Sequence, residues 1–342
     1  MKKQIWIDII NPSHALFFKP IINYLKNDYN IIITIRNRGE TTKLAEKFGL
    51  YGKIIGKDYE NNLKKIVSMT NRTLFLNLNM KKFDYSISFE NPMSIAVSKM
   101  KDVKSILSLD NDLKYKIKNN IFQSFESKIK LFADFIIIPK ACEETFSQYD
   151  MNSKFITYNG FKEDVYIADF SPDLSLKEKL PFKEYIVIRG EALSSFYVNK
   201  NKSLIPQLFN YFSKENVNIL FLPRDSSDLQ YRETKNISIL KEPLNGLDLI
   251  YYSSGVLTGS GTMAREGACM GKTAVSFFPS DVLLSVDQEL VDRRKILHSR
   301  NPKEIVDYVI SHMGNNFKLD LKGPKIVKSQ FLKLITNIIT EN

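Results

Sequence analysis

The chain has 342 residues, enough for two domains of ordinary size. Its composition, 43% hydrophobic and 25% charged with 14 Gly and 12 Pro, excludes a disordered, collagen-like or low-complexity protein. The net charge of +11 is uneven: residues 1–160 carry 25 basic and 16 acidic side chains, residues 161–342 carry 24 and 22. The excess in the first half points to an anionic partner there, such as a phosphorylated substrate or an anionic membrane surface.

No apolar run of about 18 residues is present, which argues against a membrane-spanning helix. The N-terminus, MKKQIWIDII, reaches Asp8 after a short apolar stretch and reads as a first strand rather than a signal peptide. Further strands are expected at Ile31–Ile35, Lys53–Ile55, Tyr85–Phe89, Ser105–Leu107, Phe135–Ile138 and Phe155–Tyr158. The second half offers Tyr185–Ile188, Asn218–Leu222, Ile237–Leu240, Gly255–Leu257, Thr273–Phe277 and Ile296–His298. Runs such as IIITI and FIII are apolar almost throughout, as when helices cover both faces of a parallel sheet. Helical patterns between them imply right-handed crossovers and two doubly wound α/β domains. The expected boundaries are an N-terminal domain at 1–160, a polar linker at 161–183, a second domain at 184–315 and a tail helix at 316–342.

The first strand is followed by Asn11-Pro12-Ser13-His14 at the start of an amphipathic helix, where α/β proteins place substrates. Ser13 can cap that helix, and His14 in its first turn is either a structural residue or a catalytic one. No GxGxxG and no GK[ST] appears, which argues against a dinucleotide-binding dehydrogenase and a P-loop enzyme. Glu90-Asn91-Pro92-Met93-Ser94 and Asp110 follow later strands in the same position, as loop and capping groups or as site residues. In the second half Arg189-Gly190 and Arg224-Asp225 end strands; Arg189 suits a diphosphate, and Gly190 would let it approach.

The most informative segment is GVLTGSGTMAREGACMGKTAVSFFP, residues 255–279. It reads as a buried strand, a small-residue turn, a helix and another strand. Backbone N–H groups at that helix start suit a diphosphate, and Glu266 could accept from ribose hydroxyls or be a solvated helix residue. Cys142 and Cys269 sit in apolar helical text and read as small core residues; the three histidines lack metal-ligand spacing. Two cysteines fit a reducing cytoplasm.

The strand–SG–x4–E–helix–small–G–strand pattern, together with WIDIINPSHALFFKPII, resembles an archaeal-type family related to GT-B glycosyltransferases and UDP-N-acetylglucosamine 2-epimerases. The resemblance implies a GT-B-like fold, two Rossmann-like domains with parallel sheets facing a central cleft. It implies that Ser260, Gly261 and Thr262 line the diphosphate and that Glu266 binds the ribose. Where the epimerases carry a second glycine, this chain has Thr262. Asp287 and Gln288, in a loop comparable to the one that meets the donor sugar, join the nucleotide-sugar set with Arg189 and Gly190. Essential acidic residues of the epimerases' first domain point to Glu90 and Asp110, with His14 as the general base on an acceptor hydroxyl.

The expected function is metal-independent transfer of a sugar from a nucleotide donor, UDP-linked, to an anionic or lipid-linked acceptor. Asn11, Ser13, Asn91 and Ser94 would line the acceptor side. No cofactor is expected beyond the nucleotide-sugar substrate, and no nucleic-acid motif accompanies the basic stretches. The alternatives are a nucleotide-sugar 2-epimerase and a catalytically silent nucleotide-sugar-binding protein. A cytoplasmic protein could meet the inner membrane face through Leu16, Phe17, Ile21 and Leu25 beside Lys19 and Lys26, unless that stripe is core.

Overall fold

The computed structural model describes residues 2–59, 62–117, 121–149, 154–191, 202–224, 226–242, 244–314 and 317–341. The chain divides into two compact units, Met1–Tyr166 with Lys325–Asn342, and Ile167–Pro324. The first unit runs β1 (Gln4–Ile9), α1 (Pro12–Leu25), β2 (Asn30–Asn37), α2 (Thr41–Lys47), β3 (Lys53–Lys57), α3 (Asn62–Asn79), β4 (Tyr85–Phe89) and α4 (Pro92–Met100). It continues with β5 (Lys104–Ser108), α5 (Leu113–Lys116), α6 (Ile121–Lys130), β6 (Phe135–Pro139), α7 (Glu143–Ser147), β7 (Phe155–Tyr158) and α8 (Lys162–Ile167). The second unit holds α9 (Leu174–Lys177), β8 (Ile186–Arg189), α10 (Ile205–Lys214), β9 (Ile219–Leu222), β10 (Ile237–Ile239), α11 (Gly246–Tyr252) and β11 (Gly255–Thr258). After these come α12 (Gly261–Met270), β12 (Thr273–Ser276), α13 (Ser285–Asp292), β13 (Leu297–His298), α14 (Pro302–His312) and the last helix, α15 (Lys322–Glu341).

Every strand expected from the apolar runs forms, with ends within two residues of those read from the sequence. The first sheet has the order β3-β2-β1-β4-β5-β6-β7 and the second β10-β9-β8-β11-β12-β13, with parallel pairing throughout. Central strands are buried on both faces, which is why they lack apolar–polar alternation. In each sheet the chain reverses its direction of travel once: between β1 and β4, and between β8 and β11. Ligands of doubly wound folds bind outside the strand ends at such a reversal. The loops that follow these four strands hold most of the site residues expected from the sequence.

Two segments differ from expectation. The stretch at 161–183 holds α8 and α9, and Phe161, Val165, Tyr166, Ile167 and Ala168 are buried. Its polar text conceals a stretch, 161–168, that is buried throughout, its charged residues included. From Lys325 on, the tail helix α15 belongs to the first unit: Phe331 is buried against Phe17 and Tyr158, with ring centroids 5.5 and 5.1 Å away. That contact also decides between the two readings of α1 in favour of core packing. Phe17, Ile21 and Leu25 of α1 are core residues beneath α15 and the sheet, so the stripe offered to a membrane is not at the surface. Cys142 is buried and Cys269 half-buried, both as free thiols.

Candidate functional site

A charged residue inside an apolar strand demands partners, and Asp8 of β1 accepts four hydrogen bonds from three residues. Arg72 of α3 grips both of its oxygens, Nη2 to Oδ1 at 2.7 Å and Nη1 to Oδ2 at 2.8 Å. Thr34 Oγ1 donates at 2.5 Å and Asn91 Nδ2 at 2.8 Å, while Trp6 Nε1 donates to Thr34. Burial pushes the Asp8 carboxyl up, but the Arg72 charge and these hydrogen bonds outweigh it and hold it below the usual range. Asn91 also caps α4, its Oδ1 accepting from the N–H groups of Met93 and Ser94. Expected as an acceptor-side residue, Asn91 is fully buried and occupied in joining β1 to α4. Ser94, by contrast, has a buried hydroxyl without a partner.

The helix after β1 begins at Pro12, with Asn11 rather than Ser13 at the cap position; Ser13 lies half-buried in the first turn. The Asn11 side chain does not cap the helix. Its Oδ1 accepts from Arg38 Nη1 at 2.5 Å, which turns its amide nitrogen toward His14 Nε2 at 3.1 Å. An amide nitrogen can only donate, so Nε2 accepts and neutral His14 carries its proton on Nδ1. That buried Nδ1–H has no partner. Burial, then the charge of Lys162, drives the His14 pKa down to about 3. A general base works best with a pKa near the operating pH, so the geometry presents His14 as a neutral donor instead.

This has a pH signature. An unfolded imidazole takes up a proton near pH 6.5, whereas folded His14 stays neutral down to about pH 3. Between those values only the unfolded chain binds the proton, so stability is fully present above pH about 6.5 and falls as the pH drops. Urea unfolding at neutral and mildly acidic pH should therefore show an acid loss in the wild type that shrinks in His14→Gln. Equal losses would place the acid sensitivity elsewhere.

Glu90 follows β4 with a left-handed φ of 52°, a conformation that costs a non-glycine residue about 1 kcal/mol or more. The turn brings Oε1 to the N–H groups of Asp110 and Asn111 at 3.1 and 2.9 Å, and Oε2 to Lys130. Asp110, after β5, pairs with Lys162 at 2.5 Å. Glu90 thus accepts from the Asp110 backbone, and each of these two acidic residues expected from the sequence pairs with a buried lysine. The Phe89 ring meets His14 edge-on at 5.3 Å and the Lys162 ammonium at 5.4 Å, linking the first loop to this pair. The hydroxyls of Ser88 and Ser108, on the last turns of β4 and β5, are buried without partners, as is Asn111 Oδ1. Lys130, Lys162 and Arg38 had no signal in sequence spacing; Asp8, a carboxylate in an apolar strand, was the one visible hint.

In the second unit β11 ends at Thr258, in register with Arg189 of β8. Ser260 stands at the cap of α12, but its hydroxyl lies 3.0 Å from Thr258 Oγ1 and makes no cap hydrogen bond. The first N–H groups of α12, from Gly261, Thr262 and Met263, therefore have no side-chain cap. Small residues let α12 lie close on the sheet: a Cβ at Gly267 would come 2.3 Å from Val256 Cγ1. Glu266, the next residue back, is buried just over a turn from the helix start.

Asp287 of α13 is buried and pairs with Arg265 Nη1 at 2.7 Å, and a Cβ at Gly261 would strike that pair. Gln288, expected beside it, points to the exposed face of α13 and donates to Asp292 at 2.8 Å. One residue is about 100° on a helix, which separates neighbours that a linear motif joins. Gly190 also differs from expectation. Its missing side chain leaves room for the Asp228 carboxylate, 2.1 Å from an added Cβ, rather than open space. Asp225 lies outside the described residues.

Two parallel, doubly wound units, each with polar residues at its strand-order reversal, give the chain a GT-B-like fold. The chain belongs to the family described as "Protein of unknown function (DUF354)", whose model matches residues 3–340. An uncharacterized protein of Methanocaldococcus jannaschii is 27% identical over 94% of this chain and 95% of its own length. Among solved structures, a UDP-N-acetylglucosamine 2-epimerase from Rickettsia bellii is 13% identical with a TM-score of 0.74, covering 98% of this chain and 97% of that one. The glycotransferase of kitacinnamycin is 10% identical with a TM-score of 0.61, covering 98% and 99%. The fold is shared with both.

Proposed function

We propose that the protein is a nucleotide-sugar enzyme that transfers the sugar of a UDP-linked donor to an anionic acceptor bound by the first unit. The observation that carries this reading is the start of α12, without a side-chain cap, at the β8/β11 reversal, with Glu266 buried just beyond it. A helix start presents N–H donors and positive partial charge to a diphosphate, and Arg189 ends the neighbouring strand. In transfer the bond from anomeric carbon to diphosphate oxygen breaks and the electron pair leaves with the diphosphate. The helix N–H groups stabilise that developing charge. The acceptor oxygen bonds the anomeric carbon and gives up its proton. Among the first-unit residues Glu90 and Asp110 carry the charge a proton acceptor needs, and His14 Nδ1–H offers a donor to orient the substrate.

Epimerisation at the second sugar carbon is the competing reading, favoured by the Glu90–Asp110 adjacency and by the likeness to the epimerase fold. A thermal-shift panel of UDP-, GDP-, CMP- and dTDP-sugars, followed by NMR of the best binder, separates the two. Stabilisation by a UDP-sugar, with turnover only when an acceptor is added, supports transfer. A 2-epimer formed without acceptor supports the second reading, and binding without any turnover leaves a nucleotide-sugar-binding protein. No stabilisation by any nucleotide-sugar overturns the proposal.

A further inference from the structure

The outer face of the first unit, made by β3 and α3, has an unusual surface. Strand β3 is the edge of its sheet, and α3 is tied to it by Arg72 Nε to Ile55 O at 2.7 Å and by Ser68 Oγ to Lys57 O at 3.0 Å. Leu76 and Arg72 form the buried side of α3. Its other side is also apolar: Val67, Leu74, Phe75 and Leu78 recur at helical spacing and are exposed, Leu78 by 79%. On and beside β3, Ile54 is 55% exposed and Tyr51 76%. Of eighteen exposed large apolar side chains among the described residues, eight fall between Tyr51 and Leu78. A groove of about 850 Å³ runs between strand and helix, with Ile54, Val67 and Phe75 against Lys53, Lys57 and Lys64.

Such a face wants a partner, since soluble surfaces seldom leave contiguous apolar patches bare. Charge identifies the partner. Residues 51–83 hold seven Lys and Arg against two acidic residues. Of these, Arg72 is neutralised by Asp8, and Asp58 by Arg36 and Arg38 at 2.9 Å each. Lys53, Lys57, Lys81 and Lys82 lie at the exposed surface, and the Lys53 ammonium lies 5.5 Å from the Phe75 ring centre. A second copy seated here would set lysines against lysines, the arrangement by which edge strands avoid pairing. An anionic lipid surface instead satisfies both features, taking the apolar side chains below its headgroups and the lysines at phosphate level.

We infer that the β3–α3 face docks the protein on an anionic bilayer. The contact is peripheral, since no helix among the described residues is long and apolar enough to cross a membrane. It rests on the proposed function only in that the acceptor is assigned to the same unit. The unit's excess charge then serves to bring the enzyme to a lipid-linked acceptor.

Co-sedimentation with phosphatidylcholine vesicles containing increasing phosphatidylglycerol tests this without any nucleotide. Pelleted wild-type protein should rise with phosphatidylglycerol and fall with salt. The variant Val67→Glu/Leu74→Glu/Leu78→Glu should lose roughly tenfold or more of its binding, and Lys53→Glu/Lys57→Glu should lose the anionic-lipid dependence. Phe125→Glu, an exposed site on α6, serves as the control and should bind like wild type. These positions are exposed, so an unchanged melting temperature shows that the fold survives. Wild-type protein left in the supernatant at low salt, or β3–α3 variants that bind like wild type, overturn the inference. A dimer seen by sedimentation velocity and lost in the same variants, without vesicle binding, would also overturn it. Nucleotide binding by these variants is read separately, so loss of docking leaves the enzymatic reading intact.

Discussion

Replacing Arg72 by leucine should destabilise the protein by about 3–5 kcal/mol, because it leaves the Asp8 carboxylate buried with no cation. Asp8 is fully enclosed and Arg72 supplies two of its four hydrogen bonds, so water cannot stand in without opening the sheet. The loss should spread to the site: Asn91, which donates to Asp8 while capping α4, holds the first turn that carries Ser94. The double variant Asp8→Leu/Arg72→Leu should recover much of the stability, since removing both charges removes the cost of burying one alone. Urea denaturation of the two single variants and the double variant gives the cycle directly. A double variant as unstable as the sum of the singles would show that the pair is not coupled.

Replacing Glu266 by alanine should weaken nucleotide affinity by roughly 1–3 kcal/mol, the loss of a charged hydrogen bond to ribose. The side chain lies on α12 next to Gly267, whose contact with Val256 fixes the helix against β11, so its position is set by packing rather than by a loop. Titration calorimetry with UDP compares the variant with wild type. Equal affinities would remove Glu266 from the site.

The fold was legible in the sequence because the central strands are buried on both faces and announce themselves as nearly unbroken apolar runs. FIII, at the start of β6, could hardly be anything but an inner strand. The turn before α12 was legible for a similar reason, since Gly259, Ser260 and Gly261 leave no side chain bulky enough to fill it. What the sequence concealed are long-range pairings. Lys162 reaches Asp110 across 52 residues and Lys130 reaches Glu90 across 40, and nothing in local spacing marks either. His14 was visible as a polar residue at a helix start, but its neutral state depends on its burial and then on the charge of Lys162, and its tautomer on Arg38, which orients Asn11. The stripe of α1 could be read as core or as a membrane contact because part of its cover, Phe331, lies more than 300 residues away.

The central claim is that the start of α12 takes the diphosphate of a nucleotide-sugar. Amide-resolved NMR of the whole chain during titration with UDP tests it most directly. The backbone N–H signals of Gly261, Thr262 and Met263 should shift together and saturate with the affinity measured by calorimetry. Binding of UDP that leaves these three amides unmoved, with the shifts confined to the first unit, would contradict the account.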